Sequence, residues 1–145
     1  MPHAAALTEA AEDRRAVEEL VTRLYVLLDE QRYDELDTIY SNDAVLRLPA
    51  AEIKGLEEIR AVARRRGETY ARMQHISTDV LVELDGDRAS VRTNHLAFHL
   101  HEVDPESARY DAGVVHRFQA ARTADGWRLT RTEGDVVWTQ GAVRR

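Results

Sequence analysis

At 145 residues the chain has the length of one domain and enough material to bury a core, and its 43% hydrophobic and 32% charged residues are ordinary globular composition. A formal net charge of -6 argues against nucleic acid or an anionic membrane as partner, because a phosphate surface demands a basic face. There is no cysteine, which removes disulfides, thiol nucleophiles and thiolate metal sites and fits a cytoplasmic location.

No apolar run approaches the length of a membrane span, and Met-Pro-His-Ala-Ala-Ala has no basic region before an apolar core, so no signal peptide is expected. The whole of 1–145 reads as one domain with its core over 8–141 and loose ends at 1–7 and 142–145. Thr8 is placed as an N-cap, and Val17, Leu20, Val21, Leu24, Leu27 and Leu28 recur at helical spacing to residue 31. Tyr25 and Asp29 stand four apart on that helix, and a carboxylate beside the apolar stripe needs a partner if buried.

A short second helix over 33–40 turns Leu36, Ile39 and Tyr40 inward. Ser41-Asn42-Asp43 breaks it, and a strand over 44–48 ends at Pro49. A third helix begins after Lys54-Gly55 and carries Leu56, Ile59, Val62 and Ala63. Arg64-Arg65-Arg66 closes it; the triplet reads as cations at a helix C-terminus with Gly67 as C-cap, rather than as an anion patch.

Two strand-like runs, from Arg72 and to His101, flank Asp85-Gly86-Asp87 and read as a β-hairpin. Four of the six histidines lie on it: His75, His95, His99 and His101. By simple alternation His75, Ser77, Asp79, Leu81 and Glu83 share one face of the first arm, and Ile76, Thr78, Val80, Val82 and Leu84 the other. In the second arm Thr93, His95, Ala97, His99 and His101 share a face. A strand over 110–122 puts His116 on a face with Val114, Phe118 and Ala120. A last strand starts at Trp127 and resumes over 136–138 past a break at Gly134. Helices first, then strands joined by short turns, is an α+β pattern: a curved antiparallel sheet with helices packed on one face and a pocket between them.

The chemistry available is limited. Neither GxGxxG, nor GxxxxGK[ST], nor GxSxG occurs. His99 and His101 have strand spacing suited to chelation, but no HExxH pattern and no thiolate accompany them, so no metal is expected. What remains is acid–base work by a histidine oriented by a carboxylate, with Asp29 as the best-placed acid. His3 and His101 read as exposed or structural, and His95 and His116 are open between structural and functional roles.

Several segments, in order, carry a resemblance: Leu28-Asp29-Glu30-Gln31-Arg32-Tyr33-Asp34-Glu35-Leu36, Lys54-Gly55-Leu56-Glu57-Glu58-Ile59, Gln74-His75-Ile76-Ser77, Asp85-Gly86-Asp87-Arg88-Ala89 and Gly126-Trp127-Arg128-Leu129. The chain resembles SnoaL-like members of the nuclear transport factor 2-like superfamily. It is most similar to the branch of scytalone dehydratase, bile-acid dehydratase and hexachlorocyclohexane dehydrochlorinase. The resemblance implies a cone-shaped sheet with the N-terminal helices on its concave side, no cofactor, a small apolar or aromatic substrate, and a homodimer through the sheet. It also implies that Asp29 pairs with a catalytic base at His75 and that His99 is the second catalytic histidine. Leu28 replaces the family's tyrosine beside that aspartate, with Tyr25 one turn earlier in its stead, and His116 falls near a family asparagine.

The expected function is a dehydratase-like lyase or isomerase with Asp29, His75 and His99 as catalytic residues, and Tyr25, Tyr40, His95 and His116 as substrate-binding ones. The alternatives are a polyketide cyclase or a non-catalytic ligand-binding or assembly module. Epoxide hydrolysis fails for want of an Asp-Arg-Asp set.

Overall fold

The computed structural model describes residues 2–145. Helix α1 spans Pro2–Asp29, a 3₁₀ turn follows over Tyr33–Thr38, and strands β1 (Tyr40–Leu48) and β2 (Ala51–Lys54) precede helix α2 (Leu56–Thr69). Strands β3 (Arg72–Asp85), β4 (Arg88–Leu100), β5 (Arg109–Thr123) and β6 (Gly126–Gly141) complete the chain. One six-stranded sheet has the order β2-β1-β6-β5-β4-β3. The helices pack on its concave side, so the α+β class and curved sheet are as expected. The β1–β6 pair is parallel, however, and β2 is an added edge strand reached through the turn at Pro49-Ala50.

The apolar stripe of α1 is the heart of the core: Val17, Leu20, Val21, Leu24 and Leu27 are buried with Leu36, Ile39, Phe118 and Leu129. The helix begins six residues before Thr8. Ala4-Ala5-Ala6 are strong helix formers, and the Thr8 hydroxyl donates back to the Ala4 carbonyl at 3.0 Å instead of capping. Its C-terminus is closed by a Schellman arrangement with Gln31 at φ 57: the Arg32 N–H donates to the Leu27 carbonyl at 2.8 Å and the Gln31 N–H to the Leu28 carbonyl at 3.2 Å. Asp29 is thereby fixed as the last helical residue.

Four further expectations change. Ser41-Asn42-Asp43 does not break the chain but forms an irregularity inside β1, between the pairs Tyr40–Leu129 and Val45–Arg131. Gly67 is not a C-cap. The helix runs through it to Thr69, and a Cβ at Gly67 would fall 1.8 Å from the Tyr33 hydroxyl, so a bare backbone is required there by packing. Gly134 does not interrupt β6; it pairs with His116, whose ring a Cβ would approach to 3.1 Å. The C-terminal end is anchored, since the Arg144 N–H donates to the Tyr70 hydroxyl at 3.3 Å and its guanidinium pairs with Glu102 at 3.1 Å.

The alternation along β3 also differs. A register shift between Thr78 and Leu81, with Asp79 at φ 53, inserts one residue. Asp79 is held there by Asn94, whose amide donates at 2.8 Å. Before this bulge His75 and Ser77 face inward, opposite Ala97 and His95; beyond it Val82 faces inward opposite Val91. His75 and Val82 therefore share the concave face that simple alternation divides between them. A second shift, between Gly113 and Val114, turns Trp138 to the outer face over Gly113.

Candidate active site

The concave sheet face and the helices enclose a cavity of about 580 Å³, lined by Tyr25, Tyr40, His75, His95, His99 and His116 among others. Four strands and one helix supply these groups: β1 brings Tyr40, β3 His75, β4 His95 and His99, β5 His116, and α1 Tyr25. Met73, His75 and Ser77 on β3 lie opposite His99, Ala97 and His95 on β4, so three histidines share one patch of wall. On β4 and β5, His95 pairs with Val114 and Thr93 with His116, which brings the fourth imidazole alongside.

Asp29 lies behind His75. The His75 Nδ1–H donates to Asp29 Oδ1 at 2.5 Å, and the backbone N–H of His75 donates to Asp29 Oδ2 at 3.0 Å. One carboxylate thus fixes both the ring and the main chain of the same residue. The His75 side chain is 6% exposed and that of Asp29 23%. With Nδ1 engaged, Nε2 is the nitrogen left to meet a ligand.

The other rings are equally constrained. Tyr25 lies tilted against His95 with centroids 4.2 Å apart, while His95 stacks on His116 at 4.5 Å and His75 on His95 at 5.3 Å. The Tyr25 hydroxyl shares a hydrogen bond with His116 Nδ1, and the Ser77 hydroxyl shares one with His95 Nδ1 at 3.1 Å. The His99 Nδ1–H donates to the Tyr110 carbonyl at 2.9 Å. The Tyr40 hydroxyl bonds with Thr132 at 3.3 Å.

This architecture has known counterparts. The SnoaL-like domain family matches residues 9–133, most of the chain.

The chain belongs to the SnoaL-like domain family.

No curated protein matches the SnoaL-like chain in sequence. Solved structures do match its fold, the nuclear transport factor 2-like one. A protein from Kribbella flavida superposes with a TM-score of 0.84 at 22% identity, covering 90% of this chain and 95% of that one. A provisionally assigned scytalone dehydratase from Novosphingobium aromaticivorans has a TM-score of 0.83 at 18% identity, covering 97% and 93%. The type-3 hexachlorocyclohexane dehydrochlorinase of Novosphingobium barchaimii LL02 has a TM-score of 0.81 at 16% identity, covering 94% of each chain. At these identities the likeness is one of fold.

Electrostatically, this SnoaL-like cavity keeps three of its histidines neutral. Burial pushes His95 down to about 2, with the neighbouring histidines adding repulsion. Burial likewise lowers His99 and His116 to about 4, and repulsion from their cationic neighbours, Arg66 among them, presses in the same direction. Burial raises Tyr25 well above 10, so its hydroxyl stays protonated. A neutral His99 that donates from Nδ1 presents a bare Nε2, which accepts.

All seven residues singled out in the sequence converge here: six line the cavity, and the seventh, Asp29, lies behind one of them, His75. His101 lies outside it, its Nε2–H donating to the Ala142 carbonyl at 2.8 Å, and His3 is exposed. Sequence reasoning missed Ser77, although it shares the His75 face, and Tyr70, whose ring lies 4.8 Å from that of His99. It also missed the arginines of the lining. Tyr70 follows a helix end and had no periodicity to mark it. Among the described residues no group of three metal-ligating side chains is placed to hold an ion, and no helix is long and apolar enough to cross a membrane.

Proposed function

We propose that this SnoaL-like protein is a cofactor-independent lyase of the dehydratase type, with the Asp29–His75 pair as its proton-abstracting machinery. The observation that carries the reading is the two-point grip of Asp29 on His75, which leaves Nε2 free at the cavity wall. The carboxylate holds the imidazole in the tautomer with a bare Nε2 and stabilises the imidazolium that forms.

His75 Nε2 takes the proton from a carbon beside an activating carbonyl or ring. The C–H electron pair becomes a C=C bond as the β C–O bond breaks. Since His95, His99 and His116 are neutral, the imidazolium of His75 is the acid at hand, and it returns its proton to the departing oxygen as water. His99 Nε2 accepts a hydrogen bond from a substrate hydroxyl. The Tyr25 hydroxyl donates to His116 Nδ1 and so fixes the tautomer whose Nε2–H donates to the oxygen on which charge develops, and Tyr40 and His95 shape the wall. Isomerisation and polyketide cyclisation begin with the same abstraction.

The test is elimination measured on a panel of β-hydroxy ketones with aromatic or alicyclic bodies. A positioned base contributes about 10²–10⁴-fold, so His75→Ala and Asp29→Asn lose at least about 10²-fold in turnover while remaining folded. Full activity in either variant excludes the assignment. We read the protein as a homodimer joined through the outer face of the sheet, where Ile76 (45% exposed) and Trp138 (43%) present apolar surface.

A further inference from the structure

Proton abstraction at His75 engages only part of the cavity. Its lining includes four arginines, Arg47, Arg65, Arg66 and Arg144, and among the described residues no aspartate or glutamate. In a chain whose 26 acidic residues outnumber its 20 basic ones, this concentrates positive charge around the cavity.

Arg144 pairs with Glu102. Arg47 makes no ion pair among the described residues, but it lies opposite Glu133 in the β1–β6 register, a carboxyl lowered first by its hydrogen bond from Arg131 and also by the Arg47 charge. Of the Arg64-Arg65-Arg66 triplet, Arg64 is paired with Asp34. Arg65 and Arg66 border the cavity and, among the described residues, make neither an ion pair nor a side-chain hydrogen bond. Since Gly67 continues the helix, the triplet is not the capped end that sequence reasoning assumed.

A guanidinium is planar and presents paired donors that match a carboxylate, and next to an apolar interior such a contact is little screened. We infer that the ligand of this cavity is an apolar carboxylate, its body filling the interior beside Leu24, Tyr25 and Val114 and its carboxylate bound at the rim by Arg65 and Arg66. A volume of about 580 Å³ suits a compound of two or three rings. The inference rests on the proposed function only in placing the reacting end of the ligand at His75. The arrangement orients it: the anion at the end of α2 directs the opposite end toward the β3–β4 wall.

The experiment is calorimetric titration of the whole chain with 2-naphthoate, 2-naphthyl phosphate and the neutral 2-naphthylmethanol at pH 7.5. Charge-assisted hydrogen bonding makes 2-naphthoate bind about tenfold or more tighter than the alcohol. In the double variant Arg65→Met/Arg66→Met that preference falls to about twofold or less, while the affinity for the alcohol is kept and reports an intact cavity. Equal affinity in the wild type, a preference that survives the double variant, tighter binding of the phosphate, or binding of none of the three overturns the inference. The readout is separate from turnover. Full activity in His75→Ala with the naphthoate preference intact removes the base and leaves the anion site; dyad-dependent turnover without the preference does the reverse.

Discussion

Asp29 grips His75 at two points, with Oδ1 accepting from the ring at 2.5 Å and Oδ2 accepting from the main chain at 3.0 Å. The second contact ties the β3 backbone at His75 to the end of α1, and the first means that the imidazole cannot turn without losing a part-buried hydrogen bond.

The first prediction concerns that short contact. Proton NMR of the wild type shows a strongly downfield Nδ1–H resonance, because a charge-assisted bond of this length deshields the proton. In Asp29→Asn the resonance shifts upfield or disappears while the amide spectrum stays dispersed. An unchanged downfield signal would assign it to another ring and remove the support for a fixed tautomer.

Acid sensitivity is the second. His95, His99 and His116 are lowered to about 2, 4 and 4, whereas in an unfolded chain an imidazole titrates near 6.5. Between about pH 6.5 and 4 the unfolded state therefore takes up protons that the folded state refuses, so stability falls as pH falls. The loss starts below about pH 7 and flattens below about 4 for His99 and His116, each costing on the order of 3 kcal/mol across that window. Urea midpoints from pH 7.5 to 4.5 measure it. His99→Gln flattens the curve, and a wild-type midpoint that does not move between pH 6.5 and 5 contradicts the buried, neutral assignment.

Gly67 supplies the third. In an ordinary helix interior Gly→Ala stabilises by about 1 kcal/mol. Here the added methyl meets the Tyr33 hydroxyl, which is itself buried without a partner. Gly67→Ala is destabilising by about 1–3 kcal/mol. Tyr33→Phe alone is near neutral, because the hydroxyl it removes is unsatisfied, and the double variant recovers part of the loss. Thermal denaturation of the four proteins gives the cycle; a stabilising Gly67→Ala refutes the contact.

The outer face supplies the fourth. Light scattering gives the wild type the mass of two chains, and Ile76→Glu/Trp138→Glu gives the mass of one with unchanged circular dichroism. A wild type that is monomeric at high micromolar concentration removes the homodimer.

Most of the element order was legible from local patterns. The stripe from Val17 to Leu28 is read from helical spacing alone, and the Asp85-Gly86-Asp87 turn with its flanking alternation announces the β3–β4 hairpin. The candidate pair of Asp29 and His75 is legible in the sequence too, through resemblance and through the exclusion of other chemistries. Three things were decided only in three dimensions. The face on which His75 lies depends on one inserted residue at Asp79, and a strand period of two carries no mark of a bulge. The passage of α2 through Gly67 depends on Tyr33, a residue 34 positions away whose ring requires a missing Cβ. The sense of the Arg64-Arg65-Arg66 triplet depends on which member finds an acid across the fold. Asp34 takes Arg64, and the other two are left at the rim of the cavity. Local sequence determines what each segment prefers; which side chain faces which is set by packing between segments distant in the chain. The opening at His75 Nε2 is of that second kind, since it exists because a helix end places Asp29 against a strand 46 residues further on.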